Sequence, residues 1–257
     1  MKLLKITLFT TLLLLVLGCK NEKKETELAD TTTDKEIEEN VKVIPITHGT
    51  LVLESKTNVI YIDPTGGSEA FKDQRPPTLV LITDIHGDHL SIPTLEALNL
   101  TNVTIVAPKA VTDKIPSTIC NNIVTLNNDE TTEHNAINIK AIPMYNLREE
   151  ALKFHTKGRG NGYVLTINHE RIYISGDTED IPEMRNLKDI DKAFVCMNLP
   201  YTMTIESAAD AVLDFKPNTV YPYHYRGTDG LSDVNLFKKI VNDSVKSINV
   251  ELLNWYD

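Results

Sequence analysis

The residues best suited to chemistry crowd into six positions, Asp84-Ile85-His86-Gly87-Asp88-His89. Four of the six side chains are metal ligands, and imidazoles mixed with carboxylates suit zinc, iron or manganese. Gly87 permits a turn tight enough to fold these side chains onto one point. A solvated acidic loop that caps a helix is the competing explanation, but charged groups at this density repel unless a cation holds them. Two later segments share the pattern of an apolar run that ends in a ligand. Ile172–Ser175 runs into Gly176-Asp177, and Val220–Tyr223 runs into His224, which lies between Tyr223 and Tyr225. Taken alone, Asp177 reads as a turn residue and His224 as a packed histidine. Beside the first cluster, Asp177 becomes a candidate bridge between two cations.

Each of these ligands must be delivered by a strand end. Short β-rich runs are predicted at Val41–Ile46, Asn58–Ile62, Leu79–Thr83, Val103–Val106, Ile137–Ile142 and Gly162–Ile167, with others at Arg171–Ser175, Ala193–Met197, Thr219–Tyr223 and Ser247–Leu252. Helices are fewer. Ile92–Leu98 is opened by Ser91 and Pro93, Ile205–Phe215 is capped by Thr204, and Val234–Val241 by Ser232 or Asp233. Asn168-His169-Glu170 reads as a hairpin turn, which leaves His169 exposed. Helices falling between groups of strands predict an α/β domain of two sheets flanked by helices.

The whole chain narrows the partners. Its 257 residues suffice for one large domain, and a formal net charge of −10 argues against a nucleic-acid backbone as the main partner. Lys153, Lys157 and Arg159 form a local basic stretch that could hold an anionic substrate, the last two in a glycine-containing loop. Lys2 and Lys5 make a positive start, and Leu3 through Leu17 is a mostly apolar run, which has the shape of a secretory leader and is short for a membrane span. Val16-Leu17-Gly18-Cys19 resembles a bacterial lipobox. That resemblance implies a leader over residues 1–18, lipid attachment at Cys19, and anchorage to the bacterial cell envelope, with a membrane partner through the lipid. Residues 20–40 are rich in charge and poor in apolar side chains, as expected of a tether. The folded domain is expected over residues 41–257. Cys120 and Cys196 allow one disulfide in an exported protein, although Cys196 sits in an apolar run and reads as a core residue.

Taken in order, these motifs resemble those of the metallo-β-lactamase fold hydrolases. Asp84-x-His86-x-Asp88-His89, then Gly176-Asp177, then His224 follow the family's sequence of ligands. Thr47-His48-Gly49-Thr50, the strand ending at Asp63-Pro64, Ile142–Asn146, His155–Gly158, Asp177–Met184 and Tyr201–Met203 resemble segments of one broad branch, so that the likeness extends over about residues 41–257. It implies a four-layer αβ/βα sandwich with two divalent metal ions at one edge, zinc first and manganese or iron as alternatives. One ion would take Asp88, His89 and His224. The other would take His86 and Asp84, and Asp177 would bridge them.

Two departures stand out. Asp84 occupies a position where the family has a histidine, which brings a harder donor and an added negative charge. The usual middle histidine is also not evident: Asn146 lies in that region, His155 is the candidate, and His134 is the alternative. His48 is read as orienting a ligand or walling the pocket, and Asn146 and Tyr201 as neighbours of ligand or substrate, with Tyr145 and Tyr225 as further pocket tyrosines. The implied activity is hydrolysis of an ester, lactone, amide or phosphodiester bond in a small molecule, with Asp88 orienting the nucleophile or moving its proton. The broad branch does not imply β-lactam hydrolysis. The rival class is a lipid-anchored binding protein that kept the scaffold and lost catalysis.

Overall fold

The computed structural model describes residues 40–256. The expected leader, Cys19 and the tether up to residue 39 lie outside the described residues. Strands β1 (Lys42–Thr47), β2 (Thr50–Glu54), β3 (Val59–Ile62), β4 (Leu79–Leu81), β5 (Thr104–Ala107) and β6 (Asn122–Thr125) form one sheet in that spatial order. The first three pair antiparallel and the rest parallel. A second sheet contains β7 (Thr131–His134), β8 (Ile137–Met144), β9 (Gly160–Ile167), β10 (Glu170–Ile174), β11 (Lys192–Val195), β12 (Thr219–Pro222) and β15 (Asn249–Val250), ordered β15-β12-β11-β10-β9-β8-β7. It too is antiparallel on one side (β7 to β10) and parallel on the other. Arg226–Gly227 (β13) and Gly230–Leu231 (β14) make a small separate hairpin.

Strand alternation decides what lies between the sheets. Successive strand side chains point to opposite faces. Leu51, Leu53, Ile60, Ile62, Leu79, Leu81 and Val106 enter the main core with Ile139, Leu165, Ile172 and Phe194 of the second sheet. Their neighbours Val52, Tyr61, Val80 and Ile105 point the other way and pack with Leu95 of α1 (Ile92–Ala97) and Val111 of α2 (Lys109–Thr112). The second sheet is covered by α4 (Ile205–Phe215) and α5 (Val234–Ser244), through Ala208, Val212, Phe237 and Val241, and also by Met184 of α3 (Pro182–Arg185). Helix, sheet, sheet and helix make the four-layer αβ/βα sandwich.

The caps form as the sequence suggests. Ser91 accepts from the Thr94 amide, Thr204 from Ser207, and Asp233 from Asn235 and Leu236. Asn168 and His169 both have positive φ, as a two-residue hairpin turn requires. Cys120 and Cys196 are both free and belong to different core clusters, so the disulfide that two cysteines allowed does not form.

The parallel halves bring their strand ends to one edge. Asp63 follows β3, Asp84 follows β4, Asp177 follows β10, Asn198 follows β11 and His224 follows β12. Open parallel sheets bind ligands at the carboxyl ends of their strands. Cross-sheet bonds stiffen this edge: the Asn161 amide donates to the Thr83 carbonyl at 2.9 Å, and the Tyr163 hydroxyl to the Ile82 carbonyl at 2.8 Å.

Candidate metal centre

The loop after β4 supplies Asp84, His86, Asp88 and His89, as the dense cluster predicts, but it splits them between two neighbouring groups. His89, Asp177 and His224 converge in the first, with Asp88 beside them; Asp84, His86 and His155 converge in the second.

His89 is fully buried and rigidly aimed. Its Nδ1 lies 2.7 Å from the Asp63 carboxylate, which also accepts from the Thr83 amide at 2.7 Å and the Thr83 hydroxyl at 2.6 Å. An imidazole whose Nδ1–H is held by a carboxylate presents a bare Nε2 as a ligand. That Nε2 faces Asp177 Oδ2 at 3.4 Å. His224 Nε2 lies 3.3 Å from Asp88 Oδ2 and 3.6 Å from Asp177 Oδ1. His155 Nε2 is 3.2 Å from Asp177 Oδ2, while its Nδ1 donates to the Tyr201 carbonyl at 3.2 Å.

Four of these convergent atoms complete no hydrogen bond. His89 Nε2, His155 Nε2, His224 Nε2 and Asp177 Oδ1 are all buried without a hydrogen-bond partner. Buried polar atoms are nearly always paired, and each one left alone costs about 1–3 kcal/mol. Four orphans aimed at one another are therefore a site arranged around something else, and imidazole plus carboxylate is a donor set for a divalent transition metal. The electrostatics agree. Burial opposes ionisation of Asp177, yet the charges of His224 and His89 hold its carboxyl well below the ordinary range. Burial likewise opposes the charge on Asp88, but contacts with His224 and His48 prevail and its pKa is also lowered. His89 is displaced well upward because Asp177 and Asp63 outweigh its burial.

His48 serves Asp88. The Tyr256 hydroxyl accepts from the Tyr225 and Arg226 amides, both at 3.1 Å, and lies 2.7 Å from His48 Nδ1. Its acceptor side is thus filled and its proton goes to Nδ1. That fixes Nε2 as the protonated nitrogen, which donates to Asp88 Oδ2 at 3.3 Å. Although His48 lies within ligand distance of Asp88 and His224, this proton makes it a positioning group. Three residues of the centre take left-handed backbone angles: His48 at φ 52°, Asp63 at 45° and His224 at 46°. Such angles are uncommon outside glycine, and they cluster where a site over-determines the chain. Gly49 is required by close approach, because a Cβ there would lie 2.6 Å from His224 Cδ2.

The second group differs in kind. Asp84 is fully buried and grips Arg159 with both oxygens, Oδ1 to Nε at 3.0 Å and Oδ2 to Nη2 at 2.7 Å. Burial opposes its charge, but His86, His89 and Arg159 together lower its pKa. The added negative charge expected from an aspartate at this position is cancelled. Arg159, expected to hold an anionic substrate, is instead a fixed partner of Asp84. Lys157 is drawn away to Glu183 at 2.6 Å, and so is the Tyr145 hydroxyl at 2.9 Å.

Asn146 is buried, and its amide ties the Ala151 and Tyr201 carbonyls at 2.9 and 2.7 Å. It braces the loop that carries His155 and makes no contact with the cavity. His134 bonds the Thr78 carbonyl and His169 is exposed on its turn, both away from the centre. Tyr201 does line the cavity, together with His48, His86, Asp88, Phe154, His155, Asp177, Asn198 and Arg226, around a volume of about 320 Å³. Tyr225 is buried edge-on against Tyr256.

Comparison with known proteins agrees with this architecture. Residues 58–225 match the beta-lactamase superfamily domain. A UPF0173 metal-dependent hydrolase of Thermococcus onnurineus is 31% identical over 201 residues, 74% of this chain and 87% of the relative. A crystal structure from Parabacteroides distasonis, of a protein named as a metal-dependent hydrolase, shares 37% identity with a TM-score of 0.73 and covers 82% of this chain and 92% of its own. Igni18, a metallo hydrolase of Ignicoccus hospitalis, has a TM-score of 0.69 at 21% identity, over 84% and 96% of the two chains, and shares the fold.

Proposed function

We propose that this chain, which belongs to the metallo-β-lactamase superfamily of metal-dependent hydrolases, hydrolyses an ester, lactone, amide or phosphodiester bond in a small molecule at the centre formed by Asp88, His89, Asp177 and His224. The observation that carries the proposal is the set of buried, unpartnered donor atoms of His89, Asp177 and His224, which face one another at ligand spacing. A divalent cation held there supplies Lewis acidity and lowers the pKa of water into the neutral range.

The chain's own groups do the rest. Asp63 keeps the proton on Nδ1 of His89 and so leaves Nε2 bare. Asp88 is the one ligand carboxylate with substantial exposure, 42% of its side chain. It faces the cavity, where it can accept a proton from the attacking water while the His48 N–H holds it in place. The cavity is of a size for a small ligand. Phe154 and Tyr201 give it an edge-to-face aromatic wall, and Arg226 is the cationic side chain at its rim.

Metal content of the purified protein, combined with a panel of chromogenic ester, lactone and phosphodiester substrates, tests the reading. Stoichiometric transition metal and chelator-sensitive turnover support it. Metal without turnover on any substrate favours a binding protein on the same scaffold, and neither metal nor turnover rejects the metal centre. We further propose that Cys19 carries a lipid that anchors the domain to the bacterial cell envelope, with residues 20–40 as a tether. Cys19→Ser should move the protein from the membrane fraction to the soluble fraction, and full retention would refute the anchor.

A further inference from the structure

The two ligand groups are unequal. In the first, the ligand atoms are buried and unpaired. In the second, nearly every ligand atom is already engaged. Both Asp84 oxygens accept from Arg159, and Asp84 Oδ2 also lies 2.9 Å from His86 Nδ1. His86 Nε2, the remaining nitrogen of that ring, has Arg159 Nη2 at 3.4 Å. Only His155 keeps an orphaned nitrogen, and that atom faces Asp177 in the first group. A second cation would have to displace a guanidinium from a buried bidentate pair, the strongest geometry available to an arginine and a carboxylate. It would also have to approach a positive charge that cannot be deprotonated. The residues therefore fit one metal ion and do not fit the second that the fold's usual pair implies.

We propose that the centre is mononuclear, with the Arg159 guanidinium, fixed on Asp84, standing as a permanent cation in the place of the second metal. The pair is a matched exchange. A carboxylate where the fold usually has an imidazole would leave an unpaired buried charge, and the guanidinium supplies its counterion from the turn that leads into β9. His155 is thereby released from the second group, and its Nε2, 3.2 Å from Asp177 Oδ2, positions that carboxylate for the single ion. This inference rests on the proposed metal centre, and it concerns the number of ions rather than their presence.

The test uses full-length protein stripped of metal and then titrated with Mn²⁺ and separately with Zn²⁺. Bound equivalents are measured by calorimetry and elemental analysis, and the Mn²⁺ form is also examined by electron paramagnetic resonance. Wild type should bind one equivalent and give the spectrum of an isolated Mn²⁺ ion. Arg159→Met should admit a second equivalent. The double variant Asp84→His with Arg159→Met removes both charges together, so it folds without an unpaired carboxylate, and it should bind two equivalents with an exchange-coupled spectrum. Two equivalents in wild type would overturn the inference and leave the metal centre standing. So would a single equivalent in the folded double variant. No bound metal in wild type would instead defeat the metal centre itself, and the mononuclear inference with it.

Discussion

Asp63 does not contact the cavity, yet the orientation of His89 depends on it. Asp63→Asn keeps the size of the side chain and removes one acceptor. The carboxylate accepts from the Thr83 amide and hydroxyl and from His89 Nδ1, all at 2.6–2.7 Å. An amide cannot accept from all three. If its nitrogen turns toward His89, the ring must accept at Nδ1 and carry its proton on Nε2, the atom that faces the cation. If its nitrogen turns toward Thr83, it meets an amide N–H donor to donor. Loss of a carboxylate behind a ligand histidine weakens metal binding about 10- to 100-fold, equivalent to about 1.4–2.7 kcal/mol. The buried mismatch costs the metal-free protein about 1–3 kcal/mol. Competition titration against a chelating indicator reads the first quantity, and urea unfolding of the stripped protein reads the second. Metal affinity within twofold of wild type, alongside lower stability, would show that Asp63 only props the fold and would refute the orienting role.

Gly49→Ala places a Cβ 2.6 Å from the His224 ring. We expect weaker metal binding, with overpacking that costs about 1–3 kcal/mol, read by the same titration and by thermal unfolding; an unchanged affinity would mean that His224 is not a ligand. Arg148 lies outside the centre, where it bonds Glu179 at 2.6 Å and the Thr202 and Pro200 carbonyls at 2.6 and 3.0 Å. Arg148→Ala should lower unfolding free energy by about 1–3 kcal/mol and leave bound metal unchanged. Glu179 retains the Leu147 and Arg148 amides, so its charge is not abandoned.

What the sequence discloses follows from how local each signal is. Leu79–Leu81 is an apolar strand that runs into adjacent ligands, so strand and cluster are both visible in one stretch of chain. Ile205–Phe215 is bounded by a capping Thr204 and a clear apolar face, and its ends match the expected ones. The edge strands β6 and β7 are not predicted, because each is only four residues long and Thr131–His134 is wholly polar, while Asn122–Thr125 holds just Ile123 and Val124. Asp177 and His224 are each ambiguous alone and gain meaning only from their order after the first cluster. The supporting groups are harder to see. Asp63 reaches His89 across 26 positions, Arg159 reaches Asp84 across 75, and Tyr256 reaches His48 across 208. No spacing rule announces such pairs, because tertiary packing alone makes them neighbours. The Asp-Pro at the end of β3 was the one visible trace of Asp63, and it gave no hint that the carboxylate turns toward His89.

Anomalous diffraction from crystals grown with Zn²⁺ or Mn²⁺ would test the central claim most directly, since it locates the ion without reliance on turnover. The account predicts one strong peak within coordination distance of Asp88, His89, Asp177 and His224, with the Asp84–Arg159 pair intact beside it. The absence of a peak, or a peak held by other side chains, would contradict it.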